Sequence, residues 1–279
     1  MTRPDTATKL AFDVSTMFDE VSPRYDLIND VVSAGQTRLW RIATTKALQP
    51  RKGMRILDLA AGTGTSSAAF AKHGAHVTAA DFSEGMLEEG RRRHADDDLI
   101  DFIWADATEL PFDDDSFDAA MATFSVHQWA DLDRGLAEMR RVATGPVVIM
   151  TCDPALVPRF WLSEYVPDVL VTESRRYPAS DRIAAAVGGT VEFLHLPIPL
   201  LCRDGFCEAY YGRPEMFLDP GARRANSAWS FIDPHLADIG VERLRIDLET
   251  GAWDTAYGQL RTQPHYDGAL VLVVANPNT

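Results

Sequence analysis

Apolar residues along the first fifty positions recur at mixed spacings of three and four: Phe12, Phe18, Val21, Tyr25 and Ile28, then Leu39, Ile42 and Leu48. That rhythm puts one side of a helix against a core, and Pro23 and Gly35 interrupt it, so two or three short helices are predicted. From Met54 the pattern changes to brief, nearly continuous apolar runs at Met54–Leu59, Ala75–Ala80, Ile100–Ala105, Phe117–Thr123 and Pro146–Cys152. Runs of that length, apolar on successive residues, are strands buried on both faces. Amphipathic stretches of helical length fill the gaps at Thr65–Lys72, Ser83–His94 and Asp131–Val142, with Ser83 and Asp131 placed as N-caps.

Alternating strands and helices of this kind predict an α/β fold: a Rossmann-like, mostly parallel sheet with helices on both faces. After Cys152 the rhythm breaks into an aromatic-rich stretch, a strand-like run Val191–Ile198, an irregular helical region up to Pro264, and a last strand Gly268–Asn276. The Val191 and Gly268 runs are expected to pair at one sheet edge with the last strand antiparallel, leaving the segment between them as a helical cap over the site. The chain then divides into amino-terminal helices (1–50), a Rossmann-like core (51–152), cap insertions (153–190 and 199–264) and sheet-edge strands completing the core (191–198 and 265–279).

Composition narrows the class. At 279 residues, with 46% hydrophobic and 24% charged positions, the chain has the usage of a folded globular protein. Its net charge of -14 repels polyanions, which argues against a nucleic-acid partner; the runs Arg91–Arg93, Arg140–Arg141, Arg175–Arg176 and Arg223–Arg224 have their ordinary reading as solvated helix faces. Cys152, Cys202 and Cys207 lack CxxC spacing and histidine partners, so neither a zinc site nor a disulfide framework is expected. Residues Met1–Lys9 are polar where a secretory signal needs an apolar core, and the densest apolar run, Ala269–Ala275, falls far short of the ~18 residues of a membrane span. These features point to a cytoplasmic protein.

The chemistry concentrates at the strand ends. Ile56-Leu-Asp-Leu-Ala-Ala-Gly-Thr-Gly64 runs from a strand through a small-residue loop into a helix, and Gly62 and Gly64 let backbone approach a ligand where a β-carbon would obstruct it. Asp81 ends the second strand, where a carboxylate can accept from both ribose hydroxyls, and Asp106 closes the third, where an adenine amino group is a natural donor. In open parallel sheets the ligand crevice lies beyond the carboxyl ends of the strands, so Asp58, Gly62, Asp81 and Asp106 are expected around one adenosine-sized pocket. Any one acid alone is more often a turn or surface cap. The GxxxxGK[ST] pattern is absent, which removes the lysine of a kinase or ATPase, and the third glycine of the dinucleotide fingerprint is replaced by Ser67.

Three stretches, ILDLAAGTG, VTAADFSEGML and DATELPFDDDSFDAAMATF, resemble motifs of class I S-adenosylmethionine-dependent methyltransferases over residues 54 to 152. Upstream, MFDEVSPRYDLINDVVSAGQTRLWR (residues 17 to 41) is similar to the amino-terminal segment of the ubiquinone/menaquinone C-methyltransferase family. The resemblance implies S-adenosylmethionine as cofactor. It places Asp58, Thr63 and Gly64 on the methionine side, Asp81 on the ribose, Asp106 with Ala107 at the adenine, and Phe82 and Met86 against the adenosine, with Ala60 and Gly62 also among the cofactor-binding residues. Thr123 ends the fourth strand, and Tyr25 covers the cofactor from the amino-terminal helices. Core packing is the structural alternative for Phe82 and Met86.

Just after Thr123 the sequence departs from the quinone family, which has a Phe-Gly-x-Arg-Asn type segment where this chain has Phe124-Ser-Val-His-Gln-Trp129. A His-x-Trp pair there resembles methyltransferases acting on small acids or varied natural products. His127 is the candidate base, with hydrogen bonding to substrate or backbone as its alternative role. Phe124, Trp129, Trp161, Phe206 and Tyr210 are candidates for holding a flat apolar acceptor, against the alternative that the cap aromatics form its private core. Asp204 and His195 are secondary base candidates. The expected activity is methylation of O, C or N of a small, partly aromatic or isoprenoid-like molecule. A nicotinamide-dependent oxidoreductase and a non-catalytic S-adenosylmethionine-binding protein stand as alternatives, and the amino-terminal helices are candidates for contact with a second copy of the chain.

Overall fold

The computed structural model describes residues 37–202 and 206–278, and Tyr25, Asp204 and most of the predicted amino-terminal helices lie outside them. The first described helix, α1 (Thr37–Leu48), turns Trp40, Thr44 and Leu48 inward at four-residue spacing. Strands β1 (Arg55–Leu59), β2 (His76–Asp81), β3 (Ile100–Trp104), β4 (Ala119–Thr123) and β5 (Val147–Cys152) alternate with α2 (Thr65–Ala71), α3 (Glu84–Arg93) and α4 (Leu132–Val142). Both expected caps are present: the Ser83 hydroxyl accepts from the Met86 N–H at 3.2 Å and the Asp131 carboxylate from the Arg134 N–H at 3.1 Å. Strand β4 begins two residues later than the apolar run suggested, because Phe117 forms only an isolated bridge to Ala143.

The cap region supplies α5 (Pro167–Arg176), α6 (Ser180–Val187), α7 (Pro220–Ala225), α8 (Pro234–Thr250) and α9 (Ala252–Tyr257), with β6 (Thr190–His195) between α6 and α7 and β9 (Leu270–Asn276) after α9. The seven-stranded sheet has the order β3-β2-β1-β4-β5-β9-β6. Strands β1 to β5 pair in parallel, while β9 runs antiparallel to both β5 and β6, so the two distant runs meet at one sheet edge as expected. The sixth strand is shorter than predicted. It stops at His195, because Pro197 has no N–H to continue the ladder, and Ile198–Pro199 (β7) instead pairs with His265–Tyr266 (β8) in a separate two-stranded ribbon.

Strand alternation divides the core in two. Ile56, Ala119, Met121, Val148 and Met150 face α1 and the cap, whereas Leu57, Leu59, Ala120, Ala122, Val147 and Ile149 face α4 and α6 through Leu136, Met139, Ile183 and Val187. The cap carries its own aromatic centre, in which Trp161 meets Tyr165, Phe217 and Trp253 edge-on with ring centroids 5.3 to 6.0 Å apart. The Trp161 indole N–H is satisfied by the Tyr211 carbonyl at 2.9 Å. Among the described residues no helix is long and apolar enough to cross a membrane.

Candidate functional site

The loops leaving the carboxyl ends of β1, β2, β3 and β4 enclose a cleft of about 330 Å³, inside the ~300–1,000 Å³ range of small-molecule sites. Its position follows from topology: β1 and β4 are neighbours whose connections leave on opposite sides, which opens a crevice between them. Two lining residues mark that switch point with left-handed backbone, Ala60 at φ 56° one residue past β1 and Phe124 at φ 51° one residue past β4. For residues with a β-carbon this costs on the order of 1–2 kcal/mol each, and such strain concentrates at ligand sites.

Asp81 is the polar centre of the cleft. Its Oδ2 accepts the Gly62 N–H and its Oδ1 the Ser83 N–H, both at 2.8 Å, so the β1 and β2 loops are tied together through one carboxylate. The carboxylate lines the cleft at the end of β2, a position that suits a vicinal diol. Asp106 and Ala107 line the cleft at the end of β3, with Asp106 Oδ1 also capping the Thr108 N–H and hydroxyl at 2.8 Å. Phe82 and Met86 form apolar wall. Phe82 is braced from outside by Trp104, whose ring lies 5.2 Å away and whose indole N–H donates to the Phe82 carbonyl at 2.9 Å.

Ala60, Gly62, Thr63 and Thr123 also line the cleft, as do Phe124 and Trp129 from the acceptor candidates. Asp58 and Gly64 do not. Asp58 is buried below the loop, where Ser67 donates to its Oδ2 at 2.6 Å; burial, opposed by that hydrogen bond and reinforced by the nearby Asp81 charge, pushes its carboxyl up to about 7. The residue that replaces the third fingerprint glycine thus acts on the loop through Asp58. Gly64 enters α2 at φ 79° and packs on Phe102: a β-carbon there would lie 2.6 Å from the ring.

The acceptor candidates separate into two groups. Trp161 and Tyr210 are buried in the cap centre away from the cleft, because their rings find the other cap aromatics first. Phe206 reaches the cleft wall only at second hand, meeting Trp40 at 5.7 Å while Trp40 meets Phe124 at 5.9 Å. His195 is exposed on the edge strand β6. No residue of the cap lines the cleft among the described residues, and the insertion packs beside it.

His127 lies behind the wall, in a 3-10 turn (Val126–Gln128) whose neighbours Ser125, Gln128 and Trp129 face the cleft. Its Nε2 is 3.3 Å from the Gln128 side-chain nitrogen, and its ring sits edge-on to Tyr177 at 4.9 Å. Burial, with the Arg176 charge second, pulls the imidazole down to about 4, so it is neutral at pH 7. Ser83, Ser125 and Gln128 are polar lining residues that the motif reading passed over. Ser83 was recognisable only as a cap, and nothing in the spacing of Ser125 or Gln128 sets them apart from other loop residues.

A cleft at the carboxyl ends of a mostly parallel sheet, with carboxylates ending two successive strands, is the arrangement of a Rossmann-like protein. Residues 5–159 match the ubiE/COQ5 methyltransferase family, more than half of the chain, and the protein belongs to that family. It is 56% identical over 153 residues to a demethylmenaquinone methyltransferase of Clavibacter sepedonicus, covering 55% of this chain and 62% of that relative, and so spans less than two thirds of that relative's length. A demethylmenaquinone methyltransferase of Corynebacterium kroppenstedtii is 38% identical over 174 residues, covering 61% of this chain and 74% of that one. Among solved structures, a protein of Anabaena variabilis described as a methyltransferase from an antibiotic biosynthesis pathway superposes with a TM-score of 0.71 at 26% identity, covering 84% of this chain and 95% of that one. Family membership separates the chain from nicotinamide-dependent oxidoreductases.

Proposed function

We propose that this protein is a cytoplasmic S-adenosylmethionine-dependent methyltransferase acting on a small, partly aromatic or isoprenoid-like molecule of the quinone or natural-product type. The observation that carries the cofactor is Asp81, a carboxylate at the end of β2 that lines the cleft and accepts the Gly62 and Ser83 N–H groups. Asp81 would hold the ribose, Asp106 with Ala107 the adenine edge, and Phe82 and Met86 the faces of the adenosine. Ala60, Gly62 and Thr63 would leave room for the methionine portion. When bound, S-adenosylmethionine supplies an electrophilic methyl group on a sulfonium.

The chain's own work is alignment and exclusion of water, which can provide most of the rate of an in-line displacement. The segment after β4 lines the cleft with Phe124, Ser125, Gln128 and Trp129, two aromatic and two polar residues. That combination suits a flat apolar acceptor bearing one or two oxygens. The relatives' name agrees with a quinone-type acceptor. The family model stops at residue 159, so it includes that wall and leaves most of the cap beyond it.

Calorimetric titration with S-adenosylmethionine, followed by measurement of S-adenosylhomocysteine formed with quinols, phenols, carboxylates and amines, tests the proposal. Binding together with product from an acceptor of one of these classes supports it. Binding without turnover across the panel would favour a non-catalytic binding protein, and a response to NADH in place of S-adenosylmethionine would overturn it.

A further inference from the structure

Residues 105–118 join β3 to β4 without a helix or strand of their own, yet they carry Asp106 and Ala107 to the cleft. The first turn holds itself: the Glu109 N–H donates to the Asp106 carbonyl at 3.1 Å, and the Asp106 carboxylate caps Thr108. Beyond that turn the connection is held by α4. Leu110 is buried in the same core as Leu136 and Met139, its N–H donates to Glu138 Oε2 at 2.9 Å, and its carbonyl accepts from Arg141 Nη2 at 3.2 Å. Arg141 Nη1 reaches the Phe112 carbonyl and Asp114 Oδ1, both at 2.8 Å. Its Nε and Nη2 donate to the two oxygens of Glu138, each at 2.7 Å. Every N–H of the guanidinium thus has a partner. The Asp115 N–H completes the attachment by donating to the Arg141 carbonyl at 3.1 Å. The expectation that Arg140–Arg141 is a solvated helix face fails at Arg141, because the connection folds back over the end of α4.

Resting on the cofactor reading above, we infer that Arg141 and Glu138 are positioning residues for the adenine subsite, a clamp that fixes the β3–β4 connection so that Asp106 and Ala107 meet the nucleobase edge. Neither residue lines the cleft, so both act through the connection. The clamp begins at Leu110, directly after the Asp106–Glu109 turn, and little chain is left between them to absorb a shift before it reaches the cleft.

The side chains suit the task. A planar fork can serve two backbone carbonyls and two carboxylates at once, whereas the ammonium of a lysine is a point charge on a flexible stem. Arg141 also keeps like charges apart: Glu138 and Asp114 both pair with it, and without it two carboxylates are left around one vacated site. Its hydrogen bonds hold the Glu138 carboxyl below the ordinary range, with burial opposing, so the pair is ionised at neutral pH.

The test uses the full chain and calorimetric titration with S-adenosylmethionine, S-adenosylhomocysteine and S-inosylhomocysteine, in which an oxygen replaces the adenine amino group. Arg141→Met should raise the Kd for the two adenosyl ligands by the same factor, about tenfold, the size of one hydrogen bond to a charged group. Glu138→Gln keeps an oxygen for the Leu110 N–H and removes only the charge, so it should raise the same Kd values about threefold. The wild type should prefer the adenosyl to the inosyl ligand, and Arg141→Met should lose most of that preference. Arg141→Lys should recover only part of the affinity, and the double variant should bind about as Arg141→Met does, because the pair acts as a unit. Turnover at saturating cofactor should stay at the wild-type value. Arg140→Met is the control: that guanidinium donates to the Ala143 and Gly145 carbonyls on the β5 side, so its loss should lower melting temperature and leave Kd and base preference unchanged. Wild-type Kd and base preference in Arg141→Met, or equal losses of affinity in Arg140→Met and Arg141→Met, would overturn the clamp alone. A wild-type protein that binds neither adenosyl ligand overturns the cofactor reading itself.

Discussion

Glu208 offers the most direct test of how burial governs this protein's behaviour. Its carboxyl is sealed between the cap and β9, and the single backbone N–H of Ala269 approaches both oxygens, at 3.0 and 2.9 Å. A β-carbon on Gly268 would lie 2.6 Å from the carboxylate, so the backbone is pressed against it. One donor cannot replace the lost hydration of a charge, and desolvation raises the group to about 7, with the Ala269 hydrogen bond opposing and Glu173 adding to the rise. Against an ordinary value of 4.5, the folded state binds the proton more tightly than the unfolded chain does. Stability is then highest at low pH, falls as pH rises from about 4.5, and levels off once pH passes about 7.

At ~1.4 kcal/mol per unit of displacement, full ionisation costs on the order of 3 kcal/mol, of which about 2.5 is lost between pH 5 and pH 8. Glu208→Gln keeps the shape and the Ala269 bond but cannot ionise. Its amide N–H groups lack an acceptor, a cost of about 1 kcal/mol. The two proteins should therefore be nearly equal in stability at pH 5, with the variant ahead by about 2 kcal/mol at pH 8, or ~4–8 °C in melting temperature for a chain of this size. Urea unfolding at half-unit pH steps measures it. A difference between the two proteins that stays constant across that range would show that Glu208 is not held protonated by burial, and the reasoning would fail.

Three further outcomes follow from the site. Asp81→Ala removes the acceptor for Gly62, Ser83 and the diol together, and should weaken S-adenosylmethionine binding by ~1.5–3 kcal/mol in calorimetry; an unchanged Kd would displace Asp81 from the cofactor. Gly135→Ala would set a β-carbon 2.5 Å from the Trp129 ring, forcing the ring toward the cleft, so acceptor KM should change while cofactor Kd does not. Equal changes in both would show that Trp129 belongs to the cofactor side. Gly64→Ala combines a left-handed backbone with a clash on Phe102 and should lower stability by ~2–3 kcal/mol in thermal unfolding; a loss below ~0.5 kcal/mol would mean the loop relaxes freely.

Much of this architecture was legible in the residues because each signal had one physical meaning. Nearly continuous apolar runs such as Val147–Cys152 admit a buried strand and little else, and Ser83 and Asp131 sit where orphan helix N–H groups need an acceptor. The pairing of β6 with β9 was readable despite the long gap between them, since an apolar strand near the chain's end needs a buried sheet edge. The end of β6 was not read correctly, because a hydrophobic run gives no weight to the missing N–H of Pro197. Asp58 shows a subtler miss: a carboxylate in a ligand loop looks like a ligand contact, yet Ser67 had already claimed it, and that partnership only exists once α2 folds back over β1.

The acceptor side resisted for a reason that composition cannot remove. An aromatic residue gains similarly from burial in a core and from contact with a flat ligand, so Trp161, Tyr210, Phe124 and Trp129 carry the same signal in the sequence. What separates them is position relative to the strand ends. Phe124 and Trp129 are anchored one and six residues past β4, so topology alone delivers them to the crevice, whereas Trp161 and Tyr210 are delivered only as far as the cap's own packing allows. His127 falls between the two cases: it is carried to the crevice by the same segment as Trp129, and then turned from it by Tyr177 of the cap. The short turn after β4 is thus where the cleft and the cap act on the same residues. Acceptor KM, measured at saturating cofactor, should accordingly respond to substitution of Trp129, and an unchanged KM would remove it from the acceptor wall.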